Sequence, residues 1–575
     1  RPRGSRVQLA HPMPRWLMGL VAFVQRHQAT RPDAVRLVVA VLVGMIGLSL
    51  AGGAALADAY LHRGVETGAA APYVLHPTGR RLGTNVDLTA FPPEAVDGAV
   101  QALQANGYHS VRQSFSWAAI EPEPGRFAWE RYDAIVDALV EQGIQPVAVI
   151  HRVPSWAGAN PAVGTSDAPP ADVAAYAGFV ARFADRYAGR VSFVQLWDLP
   201  NRPDQWGGEA ATPEEFLGLF GPAANEVRRV APEMKVLLPE LDPRPPRGLD
   251  DVAFLRQLYR LGAAPFFDIA AARADGGVRS PLDRRIRPGG EGLSRVILLR
   301  EAMIEAGDEE TAIWATRYGW PATGGVDASD QAEFAVSGLE RARAEWPWLG
   351  LVFAWALLPS DQEAAGGYAL LTPDGSPTPL FTALSRYAAS DGTIATTGYS
   401  PVDAGSISFR GTWAEQDLPP WRFKATTEPG AVATVRFRGT GLLAYLRRGP
   451  NAASVNLAVD GVPVAGWDDN TMRSFQASDV WYPLVNGLDD EPHELTLTLS
   501  EPGEFAIGGV VVTRNIPFMW PVVLLAAGGG LLLFVALREI LYLVGVRGGY
   551  LQRQRSAELW PALPQMPAWN PERRA

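Results

Sequence analysis

The apolar positions of this chain fall into three regimes. Two runs are continuously apolar: "LVVAVLVGMIGLSLAGGAALA" at 37–57 and "IPFMWPVVLLAAGGGLLLFVAL" at 516–537. Each holds about 20 residues without a charge, enough for a helix to cross a hydrocarbon core of about 30 Å. From about residue 80 to 390, short β-branched runs alternate with stretches that are apolar every three to four places. That rhythm predicts βα units and a parallel sheet. Strands are expected at 82–87, 110–114, 145–150, 191–197, 235–239, 267–271, 311–316 and 350–355. Helices are expected between them at 93–106, 130–142, 170–188, 212–230, 250–262, 292–307 and 327–345, with a last one at 379–388. The stretch "SDAPPADVAAYAGFVARFADRYA" opens with proline, a helix-start signal. Eight such units over about 300 residues match a (β/α)8 barrel. A doubly wound open sheet is the alternative, although no GxGxxG follows the first strand. Beyond residue 391 the period shortens. "ISFRGTW", "ATVRFRG", "GLLAYLRR", "SVNLAVDG", "HELTLTLS" and "FAIGGVVVTR" alternate and are separated by Gly, Pro, Asn or Asp, which predicts a β-sandwich or jelly roll.

The domain plan is therefore a segment at 1–36, an apolar helix at 37–58, a barrel at 80–390, a sandwich at 391–515, a second apolar helix at 516–537 and a tail at 538–575. A cleaved signal peptide is the rival reading of the first apolar run. That run is long for one, and a basic segment of more than thirty residues precedes it. Basic flanks orient the helices. Arg1, Arg3, Arg6, Arg15, Arg26, Arg31 and Arg36 precede the first against Asp33 alone. Arg538, Arg547, Arg553, Arg555, Arg573 and Arg574 follow the second against three Glu. Both ends are expected in the cytoplasm and residues 59–515 outside, on a bacterial cytoplasmic membrane. "WLMGLVAFV" at 16–24 suits the inner membrane surface, a packed helix or a disordered tail. The chain begins at Arg1 without Met, so the natural chain is expected to start upstream.

Composition narrows the chemistry. A net charge of −10 argues against nucleic acid as a partner. There is no cysteine, so disulfides and thiolate metal sites are excluded. The seven His show no HExxH or paired spacing, and neither a metal nor a cofactor is called for. The arginine excess over two lysines, Lys235 and Lys424, reads as genomic base composition.

The expected strand ends carry a more specific signal. "GTNVDL" (83–88), "VRQSFSWAAIEPEPGRFAWERYD" (111–133), "PVAVIHRVPSWA" (146–157), "VQLWDLPN" (194–201) and "AIWATRYGW" (312–320) resemble, in order and spacing, the clan A glycoside hydrolases. The resemblance is strongest to family 39 and to the membrane-anchored glycosidases of exopolysaccharide systems. It spans over half the chain. It implies a barrel whose site lies at the strand C-termini, with two carboxylates about 5 to 5.5 Å apart, one acid and one nucleophile. In this chain Leu199 stands at the acid position and Arg317 at the nucleophile position, and Asp198 replaces the Asn that contacts the sugar 2-hydroxyl. Trp197 and Asn201 keep the phrase around that missing acid. Where the family has a His-Pro-Tyr phrase after strand 6, this chain offers Arg273 and Asp275. Leu199 carries no proton, and Arg317 stays charged at any physiological pH. The resemblance therefore implies a pseudo-glycosidase without a catalytic residue at either position.

Other acids are weighed as substitutes. Asp198, Glu240, Asp242 and Asp275 lie near the expected mouth, and an inverting pair needs a gap of roughly 6.5 to 9.5 Å. Glu121 and Glu123 belong to a structural phrase. Asp198 and Arg317 are expected to pair with each other, since a buried guanidinium needs a partner. Alternatively Arg112, Arg273 and Arg317 form a basic floor for an acidic sugar. Trp117, Trp156, Trp197, Trp206, Trp320 and Trp355 are candidate mouth aromatics, with Trp156 and Trp355 the better placed. In the sandwich, Trp413, Trp421, Tyr445, Trp467 and Trp481 are unranked candidates beside a packing role. Taken together, the sequence predicts a two-pass membrane protein whose external barrel binds or scaffolds an envelope polysaccharide, beside the bilayer and other membrane subunits. A hydrolase with relocated acids and a purely structural subunit are the alternatives.

Overall fold

The computed structural model describes residues 31–559, apart from 70, 72, 75–81, 159–166, 288, 360–366, 392, 419–420, 466, 468–471 and 516–518. The stretch 16–24, the arginines before residue 31 and those after residue 559 lie outside the described residues, as does the start of the second apolar run. The chain divides into two compact units, Arg1–His62 with Pro517–Ala575, and Arg63–Ile516.

The first unit is a pair of helices, Arg31–His62 and Trp520–Leu559. Asp33–His62 and Trp520–Gly545 are long and apolar enough to cross a membrane, judged by length and composition. They run antiparallel, because Arg36 pairs with Glu539 at 2.6 Å while Gly47 meets Gly529 further along. A Cβ on Gly47 would lie 2.7 Å from the Gly529 carbonyl oxygen. Only glycine lets two helix backbones approach this closely. Val38, Leu48, Leu531 and Phe534 face outward around the pair.

The second unit opens with a closed barrel of eight parallel strands in sequential order. They are β1 (Leu82–Asn85), β2 (Tyr108–Ser116), β3 (Gln145–His151), β4 (Phe193–Leu196), β5 (Lys235–Leu238), β6 (Ile269–Asp275), β7 (Ala312–Gly319) and β8 (Leu349–Ala354). Pairing of β1 with β8 closes the ring and excludes the open doubly wound sheet. Val111, Val147, Val194, Val236, Ile313 and Leu351 are buried, as strands covered on both faces require. The helices begin where side chains can cap them. Thr212 and Glu215 form a reciprocal capping box ahead of Pro213–Val230, and Asp172, Asp250 and Asp327 cap three others. One strand departs from expectation. β6 begins and ends later than its apolar run suggests, and its pairing with β7 shifts between Ala272 and Arg273. The bulge carries Arg273 and Asp275 onto the strand end, with Arg273 opposite Arg317 and Asp275 opposite Gly319.

After the short strand β9 (Gly398–Pro401), the chain forms two five-stranded antiparallel sheets, a β-sandwich. One contains β10 (Ile407–Arg410), β13 (Val432–Arg438), β15 (Val455–Val459), β16 (Val462–Pro463) and β18 (Pro492–Leu499); the other contains β11 (Ala414–Leu418), β12 (Trp421–Thr426), β14 (Gly441–Arg448), β17 (Ser478–Asn486) and β19 (Phe505–Thr513). Val435, Phe437, Leu446, Leu497 and Phe505 fill the space between. β15 and β16 are joined by Asp460-Gly461 with φ of 51° and 79°, the left-handed pair that a two-residue hairpin turn requires. The two chain ends of this unit meet: the Arg514 amide donates to the Thr67 carbonyl at 3.0 Å, and Arg63 pairs with Glu301 at 2.7 Å.

Candidate functional site

All eight strands point their C-termini to one end, and that end holds the buried polar groups of the barrel. Arg112, on β2, is almost fully buried. Its guanidinium donates to Asn85 Oδ1 at 3.0 Å, Gln195 Oε1 at 3.1 Å and Asp198 Oδ1 at 2.7 Å. Gln195 adds a bond to Asp198 at 2.9 Å. Asn85 donates onward to the Thr316 carbonyl at 2.8 Å, and the Thr316 hydroxyl donates to Glu240 Oε2 at 2.6 Å. The strand ends in this network reach unusual backbone angles: Arg152, Trp197 and Leu199 have φ of 64°, 77° and 43°. For residues with a Cβ that conformation is strained, and it persists only where surrounding packing holds it.

Beside this floor lies a cavity of about 410 Å³. Asp242 and Asp275 face it, joined by Arg273, whose two terminal nitrogens reach them at 3.2 Å each. Arg202 holds Asp242 from the other side at 2.6 Å. Arg317 lies at 3.1 Å from Asp275 through Nε, with its guanidinium 4.4 Å from the Trp355 ring centre and 5.3 Å from that of Tyr368. Burial opposes ionisation of Asp242, but the Arg244 amide and the Arg273 and Arg202 guanidiniums hold its carboxyl below the usual range. Burial pushes the Asp275 carboxyl up, against the pull of Arg317 and Arg273. Arg244, Glu291 and Arg295 complete the charged wall.

The expected Asp198–Arg317 pair does not form. Asp198 belongs to Arg112 and Arg317 to Asp275. The reason is register: Arg317 lies opposite Arg273 across β6 and β7, so Asp275, two residues on, is on the same face and within reach. The expected floor of Arg112, Arg273 and Arg317 is likewise corrected. Arg112 does not line the cavity; Arg202, Arg244 and Arg295 do. Asn201 is buried away from the mouth, where its amide clamps the Asp242 backbone with bonds of 2.8 Å in both directions. Of the aromatics proposed for the mouth, Trp117, Trp197 and Trp320 are core. Trp320 is 0% exposed, with its indole on the Arg279 carbonyl, and Trp197 is 2% exposed, with its indole on the Gln205 carbonyl. Trp206 packs edge-on against Trp197 at 5.2 Å. Trp156 is half-buried and donates to the Glu121 carbonyl at 3.0 Å, while Trp355 is half-buried beside Arg317. Glu121 accepts from the Trp117 indole and the Gly125 amide at 2.8 Å each, a structural duty. In the sandwich, Trp413 packs on Phe409 and Phe505, whereas Trp421, Tyr445 and Trp481 gather within 5.6 Å of one another beside Tyr399.

Sequence reasoning missed Arg202, Arg244 and Arg295, whose only signal was the arginine excess, and Tyr368, which had no signal. It also missed the pair formed by the Ser114 hydroxyl and His151 Nε2, 2.6 Å apart at the ends of β2 and β3. Burial lowers the His151 pKa to about 4, with Arg152 adding to the effect.

Parts of the chain are similar to known proteins. Residues 89–162 match the model of the glycoside hydrolase 42 beta-galactosidase family. The barrel is glycoside hydrolase-like. The matched segment runs through β2, the "EPEPGRFAWERYD" phrase and β3 as far as His151 and Trp156. Similar solved structures include a family 39 glycoside hydrolase from the gut symbiont Bacteroides cellulosilyticus WH2, at 17% identity, covering 75% of this chain and 83% of that one with a TM-score of 0.44. A glucosidase from Croceicoccus marinus is 15% identical, covering 76% and 98% with a TM-score of 0.42. GH5_18 from Streptomyces cattleya, in complex with GlcNAc, is 17% identical, covering 55% and 80% with a TM-score of 0.43. No curated protein matches the chain.

Proposed function

We propose that this protein is a membrane-anchored, extracytoplasmic pseudo-glycosidase that binds an envelope polysaccharide without cutting it. One observation carries the reading. The group at the nucleophile position, Arg317, is locked by Asp275 at 3.1 Å and by the Trp355 ring at 4.4 Å. A fixed cation there repels an oxocarbenium-like transition state. Relocated catalysis meets a second obstacle. Asp242 and Asp275 share the cavity, but the space between them, which an inverting pair must leave to water, is filled by the Arg273 guanidinium. Glu240 and Asp198 are already engaged by Thr316 and by Arg112. The glycoside hydrolase-like barrel and its match at 89–162 favour a carbohydrate as the ligand.

The decisive test incubates the full chain, in detergent, with polysaccharide from the host's own envelope. Bound polymer without new reducing ends, relative to a heat-killed control, is the expected result. New reducing ends that vanish in Asp242→Asn or Asp275→Asn would mean the acids have moved. The anchor is tested separately. The chain has no cysteine, so Ala477→Cys and Ser556→Cys each give a unique label site. A membrane-impermeant maleimide added to intact cells should label the first and not the second.

A further inference from the structure

The cavity at the barrel mouth is unusual in what its wall can donate. Among the described residues, five guanidiniums face it, from Arg202, Arg244, Arg273, Arg295 and Arg317, against the three carboxylates of Asp242, Asp275 and Glu291. Two of the five lean back on acids that do not line the space. Arg295 pairs with the buried Asp251, and Arg202 pairs through Nε with Asp204 at 3.0 Å. The negative charges that balance the wall therefore stand partly behind it. Hydrogen-bond counting points the same way. A guanidinium carries five N–H groups and a carboxylate about four acceptor sites, so even after the bonds to Asp251 and Asp204 the N–H groups of the wall outnumber the acceptor sites of its carboxylates. The Nε of Arg273 is buried with no hydrogen-bond partner among the described residues. Arg317 is held rigid by Trp355 and Tyr368, so its orientation is set before any ligand arrives.

A neutral sugar presents hydroxyls that each bring a donor of their own beside two acceptor lone pairs, and it brings no charge to this wall. A carboxylate, phosphate or sulfate accepts only, and its geometry matches the guanidinium fork. The volume, about 410 Å³, falls in the range of small-ligand sites, about 300 to 1,000 Å³. We infer that the cavity binds an anionic residue of a glycan, a sugar that carries a carboxylate or an equivalent oxyanion ester. This rests on the glycan-binding reading above and names the ligand class for it.

The test is calorimetry on the full chain in detergent with three probes: a tetra-uronate, the neutral hexose oligomer of equal length, and a hexose phosphate. The uronate or the hexose phosphate should bind at least about tenfold more tightly than the neutral oligomer, with affinity falling as salt rises. The tighter of those two probes identifies the anion. Arg244→Gln and Arg202→Gln are chosen because these side chains are partly exposed, 52% and 31%, so the fold tolerates their loss. Each should weaken anion binding by about tenfold, and by clearly more than it weakens neutral binding. Equal affinity for charged and neutral probes, or anion binding unaffected by both variants, would overturn the inference and leave the glycan reading standing. If no probe binds and the host polysaccharide does not bind either, the glycan reading fails as well.

Discussion

The barrel carries exposed ion pairs on its helices, such as Arg256–Glu305, but it also holds a buried set at the strand C-termini; in the sandwich the ion pairs lie around the outside. Arg112–Asp198, Arg273–Asp242 and Arg317–Asp275 have side chains no more than 22% exposed. In the sandwich, Arg436–Glu494 and Arg422–Asp417 are about half exposed or more. The difference follows from topology. Eight parallel strands send every C-terminus to one place, so side chains distant in sequence converge there and must satisfy each other. Antiparallel strands alternate inside and outside along their length, so the interior can be wholly apolar and the charges stay in water. Aromatics show the same contrast. In the barrel Trp117, Trp197 and Trp320 became core, while Trp421, Tyr445 and Trp481 stayed half-buried on the sandwich.

That contrast can be broken by measurement. The largest effects belong to the barrel. Trp320→Ala should cost about 3 to 5 kcal/mol in a denaturant titration, since the ring is fully buried and packs edge-on against Tyr318 at 5.4 Å. Trp421→Ala, half-buried, should cost clearly less; equal losses would erase the distinction. Arg273→Met leaves Asp242 and Asp275 short of a partner and should also cost about 3 to 5 kcal/mol. Arg436→Met, in an exposed pair, should cost no more than about 1 kcal/mol.

Acid sharpens the same comparison. His151 is depressed to about 4 in the fold, so the unfolded chain takes up its proton first as pH falls. Stability is present above about 6.5 and is lost between 6.5 and 4, on the order of 3 kcal/mol. His151→Gln should flatten that limb of the stability curve. His493, in the sandwich, runs oppositely. Burial lowers its pKa, but bonds to Asp460 and the Asp489 carbonyl raise it overall. Its contribution is present below about 6.5 and is lost as pH rises through its folded value, and a His493→Gln variant should remove that slope. Gly461→Ala is expected to be as small a change as the loss of the exposed Arg436 pair. With φ of 79° and no atom within 4 Å of the added Cβ, it costs only backbone strain, about 1 kcal/mol.

Much of the fold was legible without coordinates because period and capping are local. The eight βα units, the change to alternating strands after 391 and the two apolar helices all appear in spacing alone. For the site, the sequence offered only what its resemblance implies. Leu199 and Arg317 stand where carboxylates are expected, and that reading needs only the motif around them.

What the residue order could not determine was partnership. The bulge between Ala272 and Arg273 is a tertiary event, and it sets Asp275 rather than Asp198 beside Arg317. The strand β6 seen as a run of alanines gave no hint of it. Trp320, Trp197 and Trp355 are the same residue type, and only packing, against Tyr318 and Phe334 for Trp320 and against Tyr176 and Trp206 for Trp197, decided which rings face inward. The cavity wall is drawn from the ends of β6 and β7 and from loops after β4, β5, β6 and β8. No single window of sequence contains it, because convergence at the mouth of a closed barrel is a property of the ring and not of any strand in it.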